Sequence, residues 1–553
     1  RNPSDTCSSS AQGGSTRSRT ADRHGTRTLP CPSAPPGSCH TDPSPPIDVN
    51  APLADVIEIR FDCLENDSRI RDVLENVSDW KKQVRKPILY TFRPTEQGGK
   101  RKLEKNERIS IWSWRDDGKG SFGGKFVLNA DLVDVEADLF EDSGWATRFK
   151  NSFCNAKIKE FHDSLEETII ESYLEETVII SNHDFIGIPE DLSQIYKTLS
   201  SSNSDVTKIA VQTEDITDSI PIWQLLKRAK TENKEIIPIA MGESGKWTRI
   251  LGLAHGAFMT YASLDSDKET APGQVTAKDL IETYRAKELD ETTDVYGILG
   301  SNTGVSLSPL IHNTAFKFHK LNSVFVPLQV HNLDEFIKRM VKPETREVEL
   351  NFKGFSVTIP HKQNIIKHLD YIDETAEKIG AVNTVKIIDG KLHGFNTDAL
   401  GFIEPLKKVY GKLNGAKVAI LGVGGAARAC VYALEQMGAE ITVFNRAKIQ
   451  DSKFKTQNFS DFDILVNSTP LGMKGKAEGE TPVSTEQLKG VKLVYDLVYV
   501  PQETEFIKQA KSLNIPTLGG LDMLLAQANE QQRIWTGLEM PLEEISAVVL
   551  EKL

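Results

Sequence analysis

The sequence of 553 residues predicts an α/β protein in which a (β/α)8-type barrel precedes a two-lobed α/β region. Seven short runs rich in β-branched residues alternate with helix-length segments after Asp55, a pattern typical of a barrel of parallel strands. A second series of strand candidates begins at Asp294, and one of its apolar runs leads through a glycine turn into a helix. The chain is therefore expected to hold two functional regions.

The first 49 residues are rich in Ser, Pro, Thr, Gly and Arg, lack apolar periodicity and are expected to be disordered. Up to His40 they hold five Arg and two acidic residues, a balance that resembles an organellar transit peptide. An unstructured extension, or upstream sequence foreign to the protein, explains the same composition. The compartment stays open between a bacterial cytosol and a plastid.

The composition excludes several classes of function. The net charge of −12 argues against nucleic-acid binding, and no apolar run reaches the length of a membrane span. The six Cys form no CxxC pair, which favours a reducing compartment and no structural metal. Small-molecule substrates are the expected partners, and the oligomeric state does not follow from the sequence.

The predicted barrel occupies residues 50–288. Its opening βα unit is not recognisable, because residues 30–52 are rich in Pro, and Gly and Asp also interrupt the helix expected across residues 112–126. A closed barrel of this kind has eight strands. Seven are predicted, at residues 56–61, 88–92, 132–135, 178–181, 206–211, 236–240 and 258–262.

A lysine inside an apolar strand is the strongest chemical signal of the barrel. Lys208 lies within VTKIAV, where burial should lower its pKa and make the free amine a nucleophile that forms an imine with a ketone. His183, which ends the neighbouring strand, is placed to move a proton at the adjacent carbon. A snorkelling lysine and a core histidine are the structural alternatives. Three arginines that follow strand ends are candidates to grip a carboxylate or hydroxyls, or to form rim salt bridges: Arg60, Arg93 and Arg249.

An acidic linker at residues 288–293 leads into the second region, residues 289–553. A substrate lobe is predicted at 294–399, a nucleotide lobe at 400–523 and a C-terminal helical part at 524–553. The last amphipathic helix, residues 542–553, should pack on the substrate lobe. The strands predicted for that lobe are residues 295–299, 323–327, 354–357, 381–387 and 391–394.

A strand, a glycine turn and a helix follow one another at residues 417–436, as the pyrophosphate of a dinucleotide requires. The glycines let the backbone approach the phosphates, and the helix N-terminus offers free N–H groups. The next strand, residues 439–444, ends where NAD would favour an acidic residue, but an arginine stands there and suits the 2′-phosphate of NADP. A glycine turn in a nucleotide-free domain is the alternative. The residues predicted to bind the cofactor here are Gly422, Gly424, Gly425, Ala426, Asn445 and Arg446.

Lys362 and Asp398 are a candidate acid/base pair in the second region. Lys362 follows a strand and a proline, so it should project from a loop into a cleft, and Asp398 ends another strand and turn. Such a pair beside a carbonyl can pass the proton that accompanies hydride transfer. A surface lysine and a helix-capping aspartate are the alternatives.

The motifs SNHDF, DVTKIA, MGESG and TAPGQ resemble type I 3-dehydroquinate dehydratase across residues 55–284. The resemblance implies that Lys208 forms the imine and that His183 is the general acid/base. It further implies that the substrate carboxylate and hydroxyls contact a set of side chains supported by Glu58, namely Arg60, Arg93, Arg249, Thr270 and Gln274. The sequence departs from the family at Gln97, where the family has a glutamate, although Glu96 is adjacent.

The motifs SLSP, SVTIPHK, GAVNT, GFNTD, NSTPLGM and LAQAN occur in the order found in shikimate dehydrogenase, which the second half resembles over its whole length. The resemblance implies a Rossmann NADP-binding lobe and Lys362 and Asp398 as the catalytic pair. Lys448 would replace a basic residue that is absent at Gln450. The loop at residues 301–305 departs from the family. Implied substrate contacts are Ser306, Ser308, Thr358, Asn383, Tyr499 and Gln527.

The order of the two halves resembles the bifunctional enzymes of the shikimate pathway. The resemblance implies dehydration of 3-dehydroquinate to 3-dehydroshikimate, followed by reduction to shikimate with NADPH, and neither step requires a metal. In one alternative only the dehydrogenase half is active and the barrel is a degraded relic. In another, the protein is a non-catalytic sensor of quinate-like ligands. Turnover assays of both half-reactions separate the three readings.

Overall fold

The computed structural model describes most of the chain from residue 53 onward. The described residues are 53–63, 73, 85–102, 104–106, 108, 131–139, 177–202, 204–266, 269–445, 457–475 and 477–553. They all lie in one compact unit, Ile47–Leu553. The predicted disordered extension, the interrupted stretch at residues 112–126 and the cofactor candidates Arg446 and Lys448 lie outside the described residues.

The first half builds one parallel sheet from six strands that follow one another in chain order. Nearly every residue of the central strands is buried, as expected for parallel strands that are covered on both faces. The carboxyl ends of all six strands therefore meet at one edge. The first six predicted strands are confirmed as β1 (Ile57–Arg60), β2 (Ile88–Thr91), β3 (Leu132–Glu136), β4 (Thr177–Asp184), β5 (Val206–Gln212) and β6 (Glu235–Met241).

The seventh predicted strand, residues 258–262, is wrong. The Phe258 amide donates to the carbonyl of Ile236 in β6, but the segment then leaves the sheet. Phe258, Met259 and Tyr261 all pack against the same apolar cluster, so their side chains do not alternate as those of a strand would. The chain instead forms a separate two-stranded sheet from β7 (Ala262–Ser263) and β8 (Val275–Thr276).

The substrate lobe has a mixed six-stranded sheet in the order β10-β9-β11-β13-β14-β12. β9 runs parallel to β10 and β11, whereas β13 is antiparallel to both of its neighbours. The predicted strand at residues 381–387 begins later, at Thr384, because the Val382 amide turns to the carbonyl of Lys362. The strands are β9 (Asp294–Gly300), β10 (Ser323–Gln329), β11 (Phe352–Val357), β12 (Tyr371–Ile372), β13 (Thr384–Ile388) and β14 (Lys391–Phe395).

The nucleotide lobe has five parallel strands in the order β16-β15-β17-β18-β19. The predicted strand, turn and helix at residues 417–436 are confirmed, because β15 leads directly into a helix that begins at Gly425. This doubly wound order places a ligand crevice at the carboxyl ends of β15 and its neighbours. The strands are β15 (Lys417–Leu421), β16 (Glu440–Phe444), β17 (Ile464–Asn467), β18 (Leu493–Asp496) and β19 (Thr517–Leu518).

The described α-helices cover the sheets. The C-terminal part, predicted as helical, holds two helices, and the last one packs on the substrate lobe as expected, through Ile545 and Val549 against Ile311. No described helix has both the length and the apolar character of a membrane span. The helices are α1 (Leu192–Ser200), α2 (Ile220–Thr231), α3 (Lys246–Leu251), α4 (Ser308–Phe318), α5 (Leu333–Phe336), α6 (Glu374–Ile379), α7 (Asp398–Tyr410), α8 (Gly425–Gln436), α9 (Glu505–Ser512), α10 (Gly520–Thr536) and α11 (Leu542–Lys552).

The first half and the substrate lobe share a hydrophobic core. Trp247 of α3 belongs to the same buried cluster as Val326 of β10. The Asp215 carboxylate accepts hydrogen bonds from the backbone N–H of His331 at 2.6 Å and of Asn332 at 3.0 Å. The two regions on either side of the predicted boundary near residue 288 differ in sequence pattern, but they pack against each other in the structure.

Candidate active sites

A small cavity opens at the carboxyl edge of the first sheet. Its walls come from β1, β4, β5 and β6, from α3, from Arg93 just after β2, and from the segments before β7 and β8, so segments far apart in sequence meet there. Seven of the eight residues predicted for the first site line this cavity: Glu58, Arg93, His183, Lys208, Arg249, Thr270 and Gln274.

Lys208 is only 2% exposed and is held by an ion pair. Its Nζ donates to Oδ2 of Asp134 at 2.6 Å, and Nη2 of Arg93 donates to the same oxygen at 2.9 Å. The Nζ atom also lies 3.8 Å from the centre of the Tyr261 ring. The single oxygen Oδ2 of Asp134 is thus shared between two cations.

The surroundings of Lys208 favour its neutral amine. Burial and then the Arg93 guanidinium lower the pKa of Lys208 to about 8, although Asp134 opposes this shift. Burial raises the pKa of Asp134, but Lys208 and Arg93 outweigh burial and hold that pKa well below its ordinary value. Asp134 therefore stays a carboxylate, while Lys208 can release its proton near neutral pH.

His183 is buried, and neither of its ring nitrogens has a hydrogen-bond partner among the described residues. Burial, and then Arg93 and Lys208, lower the pKa of His183 well below its ordinary value, so the ring is neutral. Lys208 is paired with Ser181 across the strands, which puts His183 two residues further along on the same face. Oε1 of Gln97, the residue that departs from the family, is also buried without a described partner. A neutral, unpartnered imidazole beside an amine is suited to accept a proton from a ligand.

Arg249 supplies a buried cation from α3. Burial lowers its pKa to about 10, so the guanidinium stays charged at neutral pH. Within the described structure Nε and Nη1 have no partner, and Nη2 donates to the carbonyl of Pro272 at 3.4 Å. Gln274 closes the same loop, because its Oε1 accepts from the backbone N–H of Thr270 at 2.8 Å. A buried guanidinium with two unpartnered nitrogens suits a ligand carboxylate.

Arg60 is the predicted residue that does not line the cavity. Its Nε and Nη2 donate to the carboxylate of Asp62 at 2.8 Å and 2.7 Å, a bidentate pair. Glu58, two residues earlier, does line the cavity and accepts from Oγ1 of Thr91 at 2.7 Å. Asp62 therefore engages two of the three guanidinium nitrogens of Arg60.

Sequence reasoning misses two residues that touch Lys208. Asp134 lies inside the apolar strand LVDVE, as Lys208 lies inside VTKIAV, so the rule that found the lysine would also have found its partner. Tyr261 carries no comparable signal, because an aromatic residue in an apolar run is expected to be core. Its place against the Lys208 ammonium depends on the irregular path of residues 258–262.

Lys362 and Asp398 form an ion pair in the second half, with Nζ donating to Oδ2 at 2.5 Å. Asp398 is the first residue of α7, where the helix dipole favours a carboxylate. The lysine side chain is 18% exposed and the aspartate 7%, so a ligand would reach the pair from the lysine side.

A hydrogen-bond network fixes the aspartate of this pair. Nδ2 of Asn383 donates to Oδ1 of Asp398 at 2.8 Å and to Oγ1 of Thr397 at 2.9 Å. Oδ1 of Asn383 accepts from the Thr397 backbone N–H at 2.8 Å. Oε1 of Gln527 accepts from Nδ2 of Asn383 at 3.4 Å. The structure thus brings together four predicted residues, and the network leaves Lys362 as the more accessible group.

The predicted substrate contacts Ser306, Ser308 and Thr358 lie near the carboxyl edge of the substrate-lobe sheet, and Tyr499, which follows β18 of the nucleotide lobe, reaches Ser306. Ser306 follows β9, and its Oγ accepts from the backbone N–H of Ser308 at 3.1 Å. Tyr499 is also hydrogen-bonded to Ser306. Thr358 follows β11, the parallel neighbour of β9, so it lies at the edge from which Lys362 extends.

The glycine turn before α8 lies beside the acid/base pair of Lys362 and Asp398. Gly422 has φ +123°, and a Cβ there would lie 2.4 Å from Oγ of Ser468, so only glycine fits. A Cβ at Gly424 would have no atom within 4 Å, which leaves room above the turn. A Cβ at Gly425 would lie 3.1 Å from Cδ of Lys362. The N-terminal end of α8 and the catalytic candidate Lys362 are therefore neighbours.

Two further cofactor candidates are where the sequence predicts them. Ala426 is the second residue of α8, and Asn445 directly follows β16. Arg446 and Lys448 lie outside the described residues, so their contacts stay predictions. Across the described ranges, no group of three or more His, Cys, Asp or Glu side chains could hold a metal ion.

Both halves match known families. Residues 47–291 match the type I 3-dehydroquinase family, and residues 298–385 match the shikimate dehydrogenase substrate binding domain. Over 521 residues the chain is 32% identical to the chloroplastic bifunctional 3-dehydroquinate dehydratase/shikimate dehydrogenase of Arabidopsis thaliana, covering 89% of this chain and 79% of that protein. The chain belongs to this bifunctional family. Both family resemblances seen in the sequence are confirmed.

Relatives that are named only as shikimate dehydrogenases match the second half of this chain. The shikimate dehydrogenase (NADP(+)) of Caldanaerobacter subterraneus subsp. tengcongensis is 39% identical over 269 residues, covering 45% of this chain and 94% of that protein. A crystal structure of shikimate 5-dehydrogenase from Thermus thermophilus with NADP(H) and shikimate is 30% identical, covers 47% of this chain and 99% of that chain, and has a TM-score of 0.40. The second half of this bifunctional protein corresponds to nearly the whole Caldanaerobacter enzyme.

Proposed function

We propose that the chain catalyses two consecutive reactions, dehydration of 3-dehydroquinate to 3-dehydroshikimate and reduction of this product to shikimate with NADPH. The observation that carries the proposal is the buried amine of Lys208, which shares one cavity with the neutral His183 and the cation Arg249. The name of the Arabidopsis relative supports both reactions, and the names of the dehydrogenase relatives support NADP.

In the dehydratase half, the neutral amine of Lys208 attacks the ketone carbon, and loss of water forms an imine. The imine withdraws electrons from the adjacent C–H bond, His183 removes that proton, and the neighbouring hydroxyl departs as water with a proton returned by His183. Hydrolysis of the imine then frees Lys208. Arg249 binds the substrate carboxylate, and Asp134, 2.6 Å from Nζ, stabilises the cationic nitrogen.

In the dehydrogenase half, the glycine turn suits a pyrophosphate because α8 begins with free N–H groups and open space lies above Gly424. NADPH, when bound there, supplies the hydride. Lys362 donates the proton to the carbonyl oxygen, and Asp398 holds the lysine in place through the 2.5 Å contact. Asn383 and Gln527 orient the aspartate and offer polar groups to the substrate.

Two features of the first site argue against the alternatives, which are a degraded barrel and a non-catalytic sensor. In a degraded barrel we would not expect seven candidate residues to line one cavity, or Lys208 to be buried among them. A sensor of quinate-like ligands needs such a cavity but not an amine with a lowered pKa. Both observations favour an active dehydratase.

The organisation and the compartment are part of the proposal. We place the dehydratase at residues 50–288 and the dehydrogenase at 289–553, with its substrate lobe at 294–399 and 524–553 and its NADP lobe at 400–523. The Arabidopsis relative is named chloroplastic, which supports a plastid over a bacterial cytosol. Cell fractionation that finds this chain outside plastids would contradict that placement.

The pH dependence of imine formation should report the pKa of Lys208. Because that pKa is about 8, the fraction of Lys208 present as the neutral amine falls about tenfold for each pH unit below 8 and is nearly constant above pH 9. Borohydride trapping with 3-dehydroquinate at short times should therefore rise steeply up to about pH 8 and then level off. A trapping rate that keeps rising to pH 10, as for an ordinary lysine, would contradict the lowered pKa.

Arg446 should decide the choice of cofactor. Replacing a cation that pairs with the 2′-phosphate costs about 1–3 kcal/mol, so Arg446→Asp should weaken NADPH use about 5–150-fold and leave NADH use nearly unchanged. Initial rates with each cofactor, at saturating 3-dehydroshikimate, measure the change.

Lys508→Asp is the matched control, because it makes the same change of charge at an exposed position of α9. It should leave the preference for NADPH over NADH unaltered. Equal use of NADH and NADPH by the wild-type protein would show that Arg446 does not select NADP.

A further inference from the structure

Tyr261 lies in the dehydratase cavity with a hydroxyl that the protein does not use. Its ring faces the Lys208 ammonium at 3.8 Å from Nζ to the ring centre, and the residue lines the cavity. The hydroxyl oxygen is buried and has no hydrogen-bond partner among the described residues. A buried hydroxyl without a partner is destabilising, and a ligand that accepts a hydrogen bond from it would remove that penalty.

The charges around Tyr261 keep this hydroxyl protonated. Burial raises its pKa well above the ordinary value, and the carboxylates of Asp134 and Glu58 act in the same direction. The guanidinium groups of Arg93 and Arg60 oppose the shift but do not cancel it. The phenol is therefore a hydrogen-bond donor at neutral pH, in a wall whose other polar groups are mostly charged.

We propose that Tyr261 is a substrate-binding residue of the dehydratase site with two separable parts. The hydroxyl donates a hydrogen bond to an oxygen of the ligand, whose class is a hydroxylated cyclic keto acid. The ring face stabilises the cationic form of Lys208, and so sets how readily the free amine appears. This inference rests on the proposed dehydratase function and adds a residue that neither of the motif resemblances contains.

The variant Tyr261→Phe isolates the hydroxyl, because the ring stays against Lys208. We expect the KM for 3-dehydroquinate to rise about three- to tenfold, with kcat changed by less than about threefold. The pH dependence of borohydride trapping should be that of the wild type, since the ring is still present.

The variant Tyr261→Leu removes the ring as well. Its KM should rise at least as much as in Tyr261→Phe. The ammonium of Lys208 loses the facing ring, so the levelling-off of the trapping rate should move to lower pH. Tyr196→Phe is the matched control, because its hydroxyl donates to Glu232 at 2.9 Å and does not line the cavity, and its KM and trapping profile should be unchanged.

The outcomes distinguish failure of the role proposed for Tyr261 from failure of the proposed dehydratase function. A wild-type KM in Tyr261→Phe, in a protein that dehydrates 3-dehydroquinate, overturns the role of the hydroxyl. An unmoved trapping profile in folded Tyr261→Leu overturns the role of the ring. If the wild-type protein forms no adduct and no dehydration product, the proposed function itself fails, and the role of Tyr261 fails with it.

Discussion

Lys208→Ala should abolish dehydration of 3-dehydroquinate, with a loss of at least about 10⁴-fold in kcat, because the variant has no amine to form the imine. The substrate can still bind through Arg249, but the C–H bond then lacks the electron-withdrawing imine. Shikimate oxidation by the same preparation should be unchanged, and it reports that the chain is folded.

The covalent step can be followed directly. Borohydride with 3-dehydroquinate should fix an adduct on Lys208, located by peptide mass spectrometry, and Lys208→Ala should show none. His183→Ala should keep some adduct but lose turnover, because the histidine serves proton transfer more than imine formation. Lys234→Ala, at an exposed lysine of the same half, is the control and should behave as the wild type. Normal turnover in Lys208→Ala would remove the imine from the mechanism.

Lys362→Ala and Asp398→Ala should each lower the rate of shikimate oxidation by about 10²–10⁴-fold, the range expected for loss of a general acid/base. The lysine carries the proton, and the aspartate holds the lysine through the 2.5 Å contact, so both changes act on the same step. Binding of NADP, measured by calorimetry, should persist in both variants, and dehydratase activity should be unchanged.

The same lobe offers a matched pair for this test. Lys367 and Asp334 also form a lysine–aspartate ion pair, at 2.7 Å, but each side chain is 60% exposed. Lys367→Ala and Asp334→Ala should leave both activities near those of the wild type, as expected for an exposed pair. Near-wild-type turnover in Lys362→Ala or Asp398→Ala would remove that residue from the mechanism.

The sequence predicts most of the fold because its strands follow simple rules. The runs that became β1 to β6 are apolar and bounded by turn residues, and the glycine turn identifies β15 and α8. The seventh strand fails because Phe258, Met259 and Tyr261 satisfy strand propensity yet all pack on one cluster. Propensity describes single residues, whereas the path of this segment depends on its tertiary packing.

The candidate sites are also only partly predictable from the sequence. Lys208 is visible in the sequence because a charge inside an apolar run is unusual, but its partner Asp134 is 74 residues away and depends on the order of three strands. Asn383 and Gln527 are 144 residues apart, and only the packing of α10 brings them together. Motif resemblance names such residues, whereas their partners and pKa shifts come from the tertiary structure.

The claim that one chain performs both reactions is tested most directly by supplying the purified protein with 3-dehydroquinate and NADPH alone. The proposal predicts that NADPH is consumed and that shikimate appears in equal amount, with no other enzyme added. Lys208→Ala under the same conditions should consume no NADPH until 3-dehydroshikimate is added. If the wild-type protein also requires added 3-dehydroshikimate, the first half does not dehydrate 3-dehydroquinate, and the reading of the barrel as a degraded relic replaces the proposal.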